Sequence, residues 1–362
     1  MKKLNLFLVV CFVITMVVPV GCSEEDPDEN TDNFDRQKML ANWADNLIVP
    51  GYQAYLTRLN QLDRDVGSFI SSPSTETLAT VRSSWLTANL AWQKVGMYEI
   101  GKAEEITLLN YTNIYPTDTA SLEAAIMAES YDLTSVSKQD EQGFPAIEYL
   151  IYGIKSSDQE IISLFSDVRY QTYLKDLSAR LKMLAETVFL DWRNGYRDTF
   201  VENDGSEATS SVNKLVNDYI FYYEKHLRAG KIGIPAGVFS GSKLPEKAEG
   251  VYSGSSKVLF DAALQAMIDF FNGANGESLA AYLQFLNTLT RGENMAQAIN
   301  AQFDAAKDKA SSLSDSFNKQ VVMDNSLMLE TYDELQKNVI NLKVDMLQAL
   351  NIRVDYVDAD GD

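Results

Sequence analysis

Apolar side chains return at intervals of three and four along almost the whole of this 362-residue chain. Leu78, Val81, Trp85, Ala88, Trp92 and Val95 form one such stripe, and Leu174, Leu177, Leu181, Leu184 and Val188 form another. A third runs through Met328, Tyr332, Leu335, Val339, Leu342, Met346 and Ala349. Residues spaced in this way share one face of a helix, and that face has to be buried against other helices. No stretch sustains the two-residue alternation of a half-buried strand. The pattern therefore predicts an all-α fold built from helical bundles.

The first 33 residues stand outside this pattern. Lys2 and Lys3 precede an almost wholly apolar run over residues 6–20, which ends at Val20-Gly21-Cys22. A basic start, a short apolar core and a small residue before cysteine read as a lipoprotein signal over residues 1–22. Cys22 then becomes the acylated first residue of the mature chain. The run is short for a membrane span, and no later stretch approaches that length, so the lipid is the only anchor expected. Residues 23–33 are charged and free of apolar side chains, as expected of a disordered tether.

Once the signal is gone and Cys22 is acylated, Cys11 and Cys22 are both accounted for. No thiol is left for disulfides, thiolate metal sites or a cysteine nucleophile. Losing Lys2 and Lys3 moves the formal net charge from −20 to −22. A surface this acidic repels nucleic acid and concentrates cations.

In the mature chain, Glu202-Asn203-Asp204-Gly205-Ser206 is a polar turn cluster between helical regions. It divides the chain into residues 34–202 and 206–362, each of ordinary domain size. Gly143-Phe-Pro-Ala146 in the first half is echoed by Gly233-Ile-Pro-Ala236 in the second, the pattern of a divergent duplication.

The segment Gly143-Phe-Pro145-Ala-Ile-Glu148-Tyr-Leu-Ile-Tyr-Gly153 reads locally as a short capped helix. Pro145 suits a first turn, Glu148 lies near the positive end of the dipole, and Gly153 can close the helix in a left-handed conformation. Arg82, Asn89 and Gln93, at intervals of seven and four, share one polar flank of the helix that carries the first stripe. That flank is either a solvated face or one side of a ligand site facing Glu148. Arg228 and Lys231 follow a helix expected to end near Leu227, where they either cap its negative end or contact an anionic ligand. His226, the sole histidine, falls in the same last turn. The tail Asp358-Ala-Asp360-Gly-Asp362 lacks the closing glutamate of a calcium loop and reads as a frayed acidic terminus.

Gly143-x-Pro145-x-x-Glu148 resembles the G-x-H-x-x-E signature of the imelysin-like family of bacterial envelope lipoproteins, with proline in the histidine's place. Trp85-Leu-Thr-Ala88, Ala91-Trp92-Gln93, Tyr115-Pro116-Thr117-Asp118 and the segment from Leu227 to Gly237 resemble further blocks of that family, in the same order. The resemblance implies two helical-bundle domains with a site where they meet, around Glu148. It also implies a role in iron or haem acquisition beside an outer-membrane uptake system. The metallopeptidase chemistry attached to the family rests on a histidine–glutamate pair, and Pro145 can neither ligate a metal nor move a proton.

Zinc hydrolysis is disfavoured on the residues alone. A catalytic zinc needs three ligands drawn from His, Glu, Asp and Cys, and this chain offers one histidine, no free thiol and no H-E-x-x-H. A hard iron cation is less demanding: Glu148 with Glu99, Asp118 or a tyrosine could hold it. The expectation is a non-catalytic ligand-binding protein with Glu148 as its tentative metal ligand. Gly143, Pro145, Arg82, Asn89, Gln93, Asp118, Arg228 and Lys231 are the other candidates.

Overall fold

The structure, a computed structural model, describes residues 32–274, 276–290 and 294–356. The signal segment, Cys22, tether residues 23–31 and the tail from 357 to 362 lie outside the described residues. Among the described residues the architecture is helical and contains no strand.

Helix α1 (Arg36–Trp43) leads through one widened turn into α2 (Val49–Ser71), which packs along α3 (Thr75–Trp92). Ser74 starts α3 by accepting the N–H of Thr77, whose hydroxyl accepts the N–H of Ser74 in return. The stripe Leu78, Val81, Trp85, Ala88 and Trp92 is buried as its spacing requires. After four short helical pieces, Lys102–Glu105, Leu108–Thr112, Thr119–Ala128 and Val136–Glu141, α4 (Gly143–Glu148) continues as a widened turn over Tyr149–Gly153. α5 (Val168–Asp191), started by the side chain of Asp167, buries Leu174, Leu177, Leu181, Leu184 and Val188 against α2.

The second half begins at α6 (Ser211–Phe221), capped by Ser210. α6 does not stop at Leu227 as expected. It runs on as a widened helix over Tyr222–Gly233, so His226, Arg228 and Lys231 sit inside a continuous helix. α7 (Ser256–Asn272), α8 (Leu279–Thr290), α9 (Met295–Ser311) and α10 (Ser326–Val339) complete this half, with α9 lying along α10 and α10 along the widened helix. The third stripe is buried at Met328, Leu335, Val339, Leu342 and Met346, while Ala349 is exposed.

Helices on either side of residues 203–210 share one contiguous cluster of buried apolar side chains. α3 also touches α7 directly. The two echoed glycines differ in conformation, since Gly143 has φ +79° and Gly233 has φ −67°. The end of the tether is not loose. The Asp32 carboxylate accepts hydrogen bonds from Arg36, at 3.1 Å, and from the Tyr282 hydroxyl, because a half-buried carboxylate requires donors. Phe34 stacks on the ring of the same tyrosine, with centroids 4.3 Å apart.

Candidate functional site

Gly143 is obligatory for α4 to sit where it does. Its φ is +79°, and a Cβ there would lie 2.2 Å from the carbonyl oxygen of Thr112. α3 grips the segment at both ends. Trp85 Nε1 donates to the Phe144 carbonyl at 3.0 Å, and Arg82 Nε donates to the Ile151 carbonyl at 2.9 Å. Gly153 takes no left-handed conformation, contrary to expectation. Its lack of a side chain instead admits the Tyr252 ring, since a Cβ would lie 2.3 Å from that ring.

These supports place Glu148 in the interior, 3% exposed. Its Oε1 accepts the backbone N–H groups of Tyr252 at 3.1 Å and Ser253 at 2.7 Å. Burial pushes its carboxyl up to about 7. The N–H and hydroxyl of Ser253 and the N–H of Tyr252 oppose that rise, and the charge of Glu249 adds to it.

Residues 248–255 form a strap that touches α4 with one edge and a second polar group with the other. Glu249, 3% exposed, points inward. Its Oε1 accepts from Gln93 Nε2 at 3.0 Å and from Asn113 Nδ2 at 2.7 Å, and its Oε2 receives the ammonium of Lys231. Lys231 Nζ also donates to Gln93 Oε1 at 2.9 Å, and Gln93 Nε2 donates to Asn89 Oδ1 at 2.9 Å. Burial depresses the Lys231 ammonium's pKa, while the Glu249 carboxylate works in the other direction. Beside the pair lies a cavity of about 10 Å³, lined by Trp92, Asn113, Tyr115, Tyr222, His226 and Lys231 among others. That is room for roughly one water. Burial and the Lys231 charge push His226 down to about 4, so it is neutral at pH 7.

The sequence candidates thus divide. Asn89, Gln93 and Lys231 meet in one buried network, next to the Glu148 strap. Arg82 shares the α3 flank but turns away: its guanidinium pairs with Asp158 at 2.7 and 3.0 Å and lies over the Tyr152 ring. Asp118 is an exposed N-cap for the helix Thr119–Ala128, accepting the N–H of Ser121. Arg228 is buried in a different group, paired with Glu224 at 3.5 Å and donating to Tyr332 and Gln336. The helix continues past both Arg228 and Lys231, so neither caps an end.

Glu99 accepts the N–H of Leu109 and is pushed up to about 8 by burial. It is not among the groups acting on Glu148. Sequence reading missed Glu249, Asn113, Tyr252 and Ser253. The strap has no helical period, and only the isolated glutamate in a Gly- and Ser-rich stretch hinted at a buried acid.

Among the described residues no group of three or more His, Cys, Asp or Glu side chains is placed to hold a metal ion. Pro145 is buried one turn before Glu148 and presents no donor or base. The arrangement holds carboxylates with fixed donors, and the hydroxyl nearest Glu148, that of Ser253, is shared with the Ser255 hydroxyl and the Gly250 carbonyl.

The family profile described as Imelysin (Peptidase_M75) matches residues 48–345. No curated protein matches the chain. Among solved structures, an imelysin-like protein from Psychrobacter arcticum 273-4 is similar, with TM-score 0.72 and 17% identity over 91% of this chain and 99% of that one. A candidate iron-regulated protein A precursor from Parabacteroides distasonis ATCC 8503 is similar with TM-score 0.70 and 16% identity, covering 87% and 95% of the two chains. At such identities the structural likeness speaks for the fold alone, and the profile match over most of the chain speaks for descent. The chain belongs to the imelysin family.

Proposed function

We propose that this protein is a non-catalytic binding protein of the bacterial cell envelope. A lipid on Cys22 would tether it to the outer membrane, where it would serve iron or haem acquisition beside an uptake system. Its two helical regions, residues 34–202 and 206–362, would act as domains with the ligand engaged near Glu148, where α4 meets the strap.

The observation that carries the non-catalytic part is the state of Glu148. Its Oε1 is held by two backbone N–H groups, and the residue one turn earlier is Pro145. A carboxylate fixed in this way, with proline one turn earlier, is arranged to bind or to brace. The iron link rests on the family and on the description of one structural neighbour as iron-regulated. The acidic surface, with formal net charge −20, favours cations over nucleic acid.

Titration calorimetry on the mature chain with ferrous iron, ferric citrate and haem tests this reading. Saturable binding that Glu148→Ala weakens tenfold, about 1.4 kcal/mol, supports it. Equal binding by the variant, or none by either protein, makes the signature a structural helix junction and the chain a scaffold. Chelator-sensitive peptide cleavage would instead establish the metallopeptidase reading.

A further inference from the structure

Three donors carried by three separate elements converge on one carboxylate. Gln93 Nε2 comes from the C-terminal end of α3, Asn113 Nδ2 from the turn that follows residue 112, and Lys231 Nζ from the widened helix. Gln93 and Lys231 are each 3% exposed or less. Bringing two amides and an ammonium together in the interior is costly unless an anion completes the group. In this structure the anion is the chain's own Glu249.

Glu249 belongs to a different kind of segment from its receptors. They stand on helices or at a helix end, whereas Glu249 stands on the strap. The strap has Gly250 and Gly254 in left-handed conformations at φ +67° and +72°. Apart from the Glu249 side chain, buried Ala248 and the Tyr252 ring packed on Tyr149 with centroids 5.4 Å apart, it is held by a short set of hydrogen bonds. Glu148 accepts two of its N–H groups, the Ser256 hydroxyl donates to the Glu249 carbonyl at 2.6 Å, and Asn318 Nδ2 reaches the Val251 carbonyl at 3.4 Å. The Tyr252 side chain lies outermost, 41% exposed. If the strap lifts, Glu249 leaves with it. An ammonium and two amide donors then remain, opening onto a cavity already lined by Tyr115, Tyr222 and His226.

We propose that Gln93, Asn113 and Lys231 form a receptor for the carboxylate of an external ligand, and that Glu249 on the residue 248–255 strap is its resident competitor. The ligand class is an organic carboxylate, whether free or as the carboxylate arm of a metal chelate or porphyrin. Binding exchanges one carboxylate for another at Lys231, so its ammonium keeps a counter-charge, while Glu148 gives up the Tyr252 and Ser253 N–H groups that leave with the strap. The strap is the element that moves, and the Glu148 hydrogen bonds set how firmly it is closed. This inference rests on the proposed binding function, but its test uses carboxylates without iron. A failure here leaves the iron titrations standing, and a failure there leaves this result standing.

Glu249→Ala removes an acetate ion's worth of atoms. Acetate added to that variant of the mature chain is expected to raise Tm saturably, by several degrees beyond matched chloride. The rise should vanish in Glu249→Ala/Lys231→Met. Should Glu249→Ala fold poorly alone, the refolding yield with acetate against chloride reads the same interaction. In the unaltered chain, citrate is the probe. Displacement of Glu249 should accelerate hydrogen exchange at the Tyr252 and Ser253 amides tenfold or more, saturably, with exchange in α5 unchanged. Two results overturn the proposal: acetate no better than chloride in both readouts, or strap exchange indifferent to citrate, which makes Glu249 a permanent structural side chain.

Discussion

The carboxylate of Glu148 accepts the backbone N–H of Ser253 at 2.7 Å, joining the family signature to a strap more than a hundred residues further along the chain. The bond closes an interior in which the signature, the strap and the Lys231–Glu249 pair are consecutive links. The glutamate's partner is main chain, which Pro145 does not disturb.

Burial holds the Glu148 carboxyl at about 7, well above its ordinary value of 4.5. The folded protein therefore binds this proton more tightly than the unfolded chain does. The associated stability is complete below pH 4.5 and is lost as pH rises through 7, amounting to on the order of 3 kcal/mol. Glu148→Gln should remove that part of the slope. Urea unfolding of both proteins from pH 4 to 8 checks it, and parallel profiles would refute it.

His226 should show the opposite sign. Burial and the Lys231 charge hold its imidazole near 4, below the ordinary 6.5. Its contribution is present above pH 6.5 and is lost as pH falls through 4, because the unfolded chain then takes up the proton more readily. Replacing it by glutamine should flatten the stability profile between those values. The imidazole resonances followed by NMR should show no titration above pH 5.

Gly143→Ala should be among the most damaging single substitutions in the chain. It combines a positive φ with a Cβ only 2.2 Å from a backbone oxygen that cannot yield. A loss of about 3 kcal/mol or more is expected. Gly153→Ala clashes instead with the Tyr252 side chain, which is partly exposed and able to leave. Tyr252→Ala should therefore rescue Gly153→Ala and leave Gly143→Ala unrescued, as read by thermal unfolding of the two double variants.

Arg82→Ala should act on stability alone. The side chain braces the Ile151 carbonyl and pairs with the more exposed Asp158, without touching the Glu249 group. A cost of about 1–2 kcal/mol is expected from the lost carbonyl contact and packing. Ligand affinity measured by calorimetry should stay within twofold. A larger change would return Arg82 to the site.

The helical class was legible because burial imposes periodicity. Trp85, Leu177 and Leu335 lie on stripes whose spacing alone demands buried helix faces, and each is buried. The same logic placed Asn89 and Gln93 on one flank. It could not say that this flank turns inward at residue 89 while Arg82, seven residues earlier, reaches out to Asp158. That depends on which neighbour covers each turn. The helix end expected at Leu227 was misplaced because the glycines at 230 and 233 mark close contacts with Tyr115, Tyr332 and Phe239 rather than a stop.

Glu249 was invisible for a simpler reason. A buried charge is chosen by partners that arrive from elsewhere in the chain, here Gln93, Asn113 and Lys231. The order of local interactions along a sequence determined that this protein is a set of amphipathic helices around Gly143–Glu148. Only the tertiary structure decided which polar groups meet, because desolvation is a property of the assembled interior and of no single segment.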